Sequence, residues 1–162
     1  MSLPDCQVLR LGLQPYREVR ALQESLAAQI AVGHVPPSLL LLEHPHTYTF
    51  GRRGKASNLL WDEATLRRRG VEVHWIDRGG DVTYHGPGQL VGYPVVTLPE
   101  WREGLRDVVA YVRGLEAVLV AALADLGVDA RRDDRYTGVW VGNDKIAAIG
   151  VKVARGRTRH GF

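Results

Sequence analysis

The chain has 162 residues, 45% of them hydrophobic, and 21 lysines and arginines against 18 aspartates and glutamates give a formal charge of +3. That is enough for one folded domain with a real core, and no apolar run reaches membrane-spanning length. The start Met-Ser-Leu-Pro-Asp lacks the basic and apolar regions of a secretion signal, and the single cysteine, Cys6, excludes an internal disulfide or a multi-cysteine zinc site. The expected location is therefore cytoplasmic. The basic residues are nearly all arginine, with lysine confined to Lys55, Lys145 and Lys152. They are scattered rather than striped, which argues against nucleic acid while leaving an acidic protein partner open.

Residues 7–13 alternate weakly as an opening strand, with Cys6 at its start as a buried, inert thiol that has no basic neighbour before Arg10. From Pro15, the apolar residues Tyr16, Val19, Leu22, Leu26 and Ile30 recur at helical spacing and close near Gly33. Residues 38–43 hold four consecutive leucines and read as a buried central strand. The segment 43–51, Glu-His-Pro-His-Thr-Tyr-Thr-Phe-Gly, breaks and alternates again, placing a polar cluster that can face a second one further on. His44 and His46 lack a third ligand, so no metal site is expected. A short helix is expected over 61–69, capped near Asp62 and stopped by Gly70, then a strand over 71–77.

That strand feeds the stretch 78–94, Arg-Gly-Gly-Asp-Val-Thr-Tyr-His-Gly-Pro-Gly-Gln-Leu-Val-Gly-Tyr-Pro. Its glycines and prolines read as strand, tight turn, strand with exposed backbone. The turn alone would make it a structural hairpin. The polar groups gathered there, Arg78, Asp81, Thr83, Tyr84, His85 and Gln89, exceed what a turn needs and favour a binding loop. His85 reads equally as a donor or base toward a ligand and as a structural donor to a carbonyl.

Extended chain over 90–98 stops at Pro99, and residues 100–126 carry apolar side chains on one helical face up to Gly127. A charged loop follows over 131–136, then a hairpin of Gly138-Val139-Trp140-Val141 with a single strand over 145–153. Lys145 opens a run of small apolar residues. It reads either as a partly desolvated base or as an exposed hairpin lysine beside Asp144.

These segments together resemble the lipoyl(octanoyl) transferases. The resemblance covers residues 39–162 and rests on 43–51, on 78–94, on Gly138-Val139-Trp140 with Lys145-Ile146-Ala147-Ala148-Ile149-Gly150, and on His160-Gly161-Phe162. It implies an α/β (α+β) fold with a mixed sheet flanked by helices, similar to biotin and lipoate protein ligases, over one catalytic domain spanning 1–162. It implies an acyltransferase that moves an octanoyl group from octanoyl-acyl carrier protein to a lysine of lipoyl domains, those of 2-oxoacid dehydrogenase complexes and of the glycine cleavage H protein. No cofactor, ATP or metal is implied, because the donor thioester is already activated.

By the same resemblance Arg78, Gly79, Gly80, Asp81, Val82, Thr83, Tyr84 and His85 form the acyl-binding loop. Ala148, Ile149, Gly150, Gly161 and Phe162 line the rest of the pocket, and Lys145 is the partner of a nucleophilic cysteine expected beyond Phe162. An ATP-dependent lipoate or biotin ligase is the competing reading, but lipoate ligases typically follow the loop histidine with an Asp and a later Asn, where this chain has Gly86-Pro87-Gly88-Gln89. A non-catalytic acyl-binding module is the third.

Overall fold

The computed structural model describes residues 5–100 and 105–162, and its contacts divide the chain into two compact units. The first runs to Thr97 and takes in Gly150–Gly161; the second is Leu98–Ile149 with Phe162.

In the first unit, β1 (Gln7–Leu13) pairs in parallel with β2 (Ser38–Glu43), and β2 pairs antiparallel with β6 (Val91–Val95). Helix α1 (Tyr16–Ala31) covers one face of this sheet. Its stripe packs Val19 and Leu26 against Leu40, Leu42, Val91, Tyr93 and Val95, the buried core. At roughly 1.5–3 kcal/mol per buried apolar side chain, this cluster supplies most of the unit's hydrophobic stabilisation. The leucine run thus becomes the central strand expected of it, with Leu40 and Leu42 turned to the helix.

A second sheet has the order β4-β3-β5. In it β3 (Thr47–Phe50) pairs in parallel with β4 (Glu72–Trp75) and antiparallel with β5 (Val82–His85). Between β3 and β4 lies α2 (Glu63–Arg68), where the Asp62 carboxylate accepts from the Thr65 amide at 2.7 Å as the expected cap.

The stretch 78–94 does contain strand, turn and strand. Pro87 and Gly88 (φ 84°) make the turn, closed by Gln89 N–H donating to the Gly86 carbonyl at 3.1 Å. The two strands do not form a hairpin, however: β5 joins β3 and β6 joins β2, so the turn carries the chain from one sheet to the other. The unit is completed by the hairpin β10 (Gly150–Ala154) and β11 (Arg157–Gly161). Thr158 ties β11 to the end of β6, its amide donating to Val96 O at 2.9 Å and its hydroxyl to Pro94 O at 2.7 Å.

In the second unit, α3 (Val108–Asp125) starts at the Asp107 cap, shorter than the expected 100–126; residues 101–104 of that expectation lie outside the described residues. The charged loop expected over 131–136 is a hairpin: β7 (Arg131–Asp133) pairs with β8 (Tyr136–Val141), with Arg131 and Arg135 both bridged to Asp133. β9 (Asp144–Ala147) completes the three strands. The fully buried Glu116 of α3 accepts from the Gly138 amide and from Arg113, each at 2.8 Å, and so fastens the helix to β8.

The strand expected over 145–153 is two strands, β9 and β10, which pair with β8 and β11 respectively. At the start of β10, Gly150 packs where a Cβ would lie 3.0 Å from Arg78 Cδ and 3.2 Å from Gly79 O.

Candidate active site

The glycine-rich loop is held by main-chain bonds on both sides. Gly51 donates to Asp81 O at 2.9 Å, Arg52 to Arg78 O at 3.0 Å, Arg53 to Gly80 O at 3.1 Å, and Gly79 to Val151 O at 3.0 Å. The two polar clusters of the sequence do face each other: Gly88 N donates to the Glu43 carboxylate at 2.6 Å, and β3 lies against β5 throughout. Arg78 is buried, and its guanidinium donates to Thr49 O (2.6 Å), Thr49 Oγ1 (3.0 Å), Thr83 Oγ1 (2.9 Å) and Gly79 O (2.9 Å). Burial pulls its pKa down, and it stays charged on a ring of neutral oxygens.

Gly80 adopts φ 88°, the left-handed conformation expected of one of the two loop glycines, whereas Gly79 would leave ordinary space for a methyl group. In Gly80→Ala the new Cβ would also sit 3.2 Å from the Arg78 guanidinium. The expected result is a loss of roughly 1–2 kcal/mol with acyl binding reduced in step, read by thermal melting and ligand titration. Unchanged melting with selective loss of long-chain ligands would instead assign Gly80 a purely steric role.

Thr83 and His85 share one face of β5, as their spacing requires, and both look toward Thr49. The Thr49 hydroxyl accepts from Arg78 and donates to His85 Nε2 at 3.4 Å, while His85 Nδ1–H donates to Gln89 Oε1 at 3.2 Å. The imidazole is thus neutral and used at both nitrogens. Burial pushes its pKa down to about 4, helped by the neighbouring His44 ring and opposed by Gln89. Tyr84 points the other way, half-exposed, with its hydroxyl 2.6 Å from His46 Nδ1. Val82 is half-buried opposite Phe50, and the Asp81 carboxylate accepts from Asn58.

Beneath β5 lies a buried cluster that sequence reading did not assemble: Tyr16, His44, His74, His85, Tyr93 and His160, with neighbouring ring centroids 5.0–6.4 Å apart. His44 donates through Nδ1 to Gln14 O at 2.7 Å and accepts from the Tyr93 hydroxyl at 2.9 Å, which fixes its tautomer. Burial lowers the pKa of His44, raises that of Tyr93 and pushes Tyr16 up to about 12. Gln23 was also missed. A polar residue between Val19 and Leu26 on the apolar stripe of α1 was the available signal, and its carbonyl accepts the His160 amide at 2.7 Å.

His160 itself sits at φ 58°, rare for a residue with a side chain. Its Nε2 donates to Asp77 at 3.1 Å, and Asp77 also accepts from Arg159 at 2.8 Å. Burial lowers the His160 pKa against the pull of Asp77; for Asp77 burial is outweighed by its bonds to His160 and Arg159, and the carboxyl is held low. Fixed in this way, His160 sets Gly161 against the Gly92 carbonyl, opposite Gly150 across the hairpin. Arg78 and Gly79 therefore touch Gly150, and Gly150 pairs with Gly161, so that three separate segments meet.

Lys145, Ala148, Ile149 and Phe162 belong to the second unit. There Lys145 is exposed rather than desolvated, donating to Thr137 O at 2.9 Å with its ammonium 4.8 Å from the Trp140 ring centroid. Gly138 (φ 125°) makes room for it: a Cβ there would lie 2.6 Å from Ala147 O and 3.1 Å from Lys145 Cε. Ala148 is exposed and Ile149 and Phe162 are half-buried. Cys6 is exposed at the start of β1, not buried as its position suggested.

The fold is that of a lipoate ligase catalytic core. A crystal structure of lipoate-protein ligase A bound with ATP superposes with a TM-score of 0.75 at 20% identity, over 97% of this chain and 65% of the ligase. The bipartite lipoate protein ligase of Thermoplasma acidophilum gives 0.74 at 20% identity, over 97% and 60%. The family model described as the lipoyl protein ligase A/B catalytic domain matches residues 15–162. An octanoyltransferase of Solibacter usitatus is 50% identical over 98% of this chain and 70% of its own length, and one of Rubrobacter xylanophilus 52% identical over 93% and 67%. The chain belongs to the lipoyl protein ligase A/B catalytic domain family and, within it, to the octanoyltransferases.

Proposed function

We propose that the first unit binds the octanoyl chain of a thioester donor, acyl carrier protein, for transfer to a lysine amine of lipoyl domains, those of 2-oxoacid dehydrogenase complexes and of the glycine cleavage H protein, in the cytoplasm. The observation that carries this reading is the packing of the loop 78–85 against Gly150, which pairs with Gly161 across the hairpin, beside an exposed Gly79 that has no side chain to cover the main chain. No helix of the described residues is long and apolar enough to cross a membrane.

In the proposed chemistry a thiolate attacks the donor carbonyl, and the carrier's thiol leaves with a proton once the tetrahedral oxyanion collapses to an enzyme thioester. The acceptor's amine then attacks that thioester, forming the amide, losing its proton to a base and releasing the enzyme thiol. Main-chain amides of the glycine-rich segments serve the oxyanion. That of Gly79 is already bonded to Val151 O, so the duty falls to its neighbours. Lys145, whose exposed Nζ donates to Thr137 O, stabilises the thiolate when protonated or, as the neutral amine, takes the proton of the thiol. On this reading Cys6 is not the nucleophile: it precedes the Gln7–Ser38 end of the sheet, about 17 Å along β2 from the Glu43 end that meets the loop. A cysteine outside these 162 residues is.

The test is intact mass after incubating the full-length protein with octanoyl carrier and no ATP. One octanoyl adduct that survives Cys6→Ser is expected. An adduct that needs free octanoate and ATP would assign the chain to ligase chemistry instead, and no adduct under either condition would leave an acyl-binding module.

A further inference from the structure

On one face of the β10–β11 hairpin, Lys152 stands directly opposite Arg159, and Arg157 lies two residues further along on the same side. Like charges directly opposite each other across a strand pair repel. The nearby carboxylates do not balance them: Glu24 and Asp77 both go to Arg159, and among the described residues Lys152, Arg155 and Arg157 have no ion pair. Arg155 occupies the first position of the two-residue turn at φ 50°, followed by Gly156 at φ 77°, where an asparagine would turn the chain with less strain. Beside these arginines α1 presents Ala27, Ala28 and Ala31, and together they enclose a groove of about 260 Å³.

We infer that this groove docks the acidic face of a helix on the protein that delivers the acyl group. This rests on the donor assignment above. The charge surplus selects an anionic partner, and the alanine floor admits the close approach of a helix. No aromatic side chain lines the groove, so it lacks the stacking platform that a single-stranded nucleic acid uses. The position suits delivery: the other end of the hairpin, at Gly150 and Gly161, abuts the glycine-rich loop through Val151, about 15 Å from the turn. A thioester on a flexible arm can span that length.

The test measures carrier binding to the 162-residue chain by fluorescence anisotropy at low and moderate salt, with octanoyl-pantetheine as a donor that lacks the protein. Arg155→Glu with Arg157→Glu should weaken carrier binding at least tenfold and flatten its salt dependence while leaving octanoyl-pantetheine binding unchanged. Among the described residues neither side chain has a hydrogen-bond or ion-pair partner to lose, so folding, checked by melting, should hold. Arg67→Glu with Arg68→Glu, which makes the same change in net charge on α2, should leave carrier binding within a factor of two. Equal weakening by both pairs, or none by the first, overturns the inference, as does an oligonucleotide that binds more tightly than the carrier with the same dependence on Arg155 and Arg157. Failure of octanoyl-pantetheine to bind at all would count against the acyl site instead, and carrier binding sensitive to the hairpin charges would still support the groove.

Discussion

Gly161→Ala is expected to lower stability by about 3 kcal/mol, roughly 10 °C in melting temperature for a chain of this size, and to abolish acyl binding. A Cβ at this position would overlap the Gly92 carbonyl and lie 2.7 Å from Pro94 Cδ, both on β6. Main chain cannot swing aside as a long side chain can. The hairpin would have to lift from β6, straining the bonds from Thr158 to Pro94 and Val96 and drawing Gly150 off the loop. Gly114→Ala is the matched control. It lies inside α3 with open space around it, and there alanine should add about 0.5–1 kcal/mol by helix propensity. Wild-type melting of Gly161→Ala would mean that β11 does not sit on β6 as described.

Acid should destabilise the protein well before its carboxylates titrate. His85 stays neutral in the folded state down to about 4, while in the unfolded chain it takes up a proton below about 6.5. Between those values the unfolded state binds more protons, so stability is whole above pH 6.5 and falls as the pH is lowered toward 4. Below that it is flat for this group. The interval of about 2.5 units corresponds to about 3 kcal/mol from His85 alone. His44 and His160 are lowered by burial in the same way and steepen the slope. Urea midpoints at pH 7, 5.5 and 4.5 measure it. The slope of His85→Gln should be shallower by one proton, and a midpoint constant across this range would show that the rings are charged in the native state.

Much of the framework was legible because it follows from period and punctuation. The α1 stripe, the leucine strand and the Asp62 cap are all local signals, and the structure realises each where its residues lie. Pairing was not legible. The alternation of residues 82–85 and 91–95 shows two strands, but alternation carries no information about partners, and the short proline-glycine turn between them suits a hairpin as well as a crossing between sheets. The break between β9 and β10 has no turn signal in Ala147-Ala148-Ile149; beyond it Gly150 packs on Arg78, more than seventy positions away, a contact no local pattern shows.

At the site, the loop and its left-handed glycine could be read from composition. The oxygens that hold Arg78 could not, since Thr49 and Thr83 belong to different strands. The exposure of Lys145 was one of the two readings open at that position, and Gly138 leaves the lysine stem its path to Thr137. His160 is the clearest case. Its motif marked the segment, but its backbone conformation depends on Gln23 and Asp77, residues that a reading by motif passes over.

The convergence of loop, hairpin and acyl chain is tested most directly by amide shifts of the ¹⁵N-labelled protein on titration with octanoyl-pantetheine. Saturable shifts at Gly79, Gly80, Gly150 and Gly161, with Gly127 and Gly142 unmoved, are the expected result. Saturable binding that leaves those four amides unmoved, or shifts confined to Gly127 and Gly142, would place the acyl chain elsewhere and contradict it.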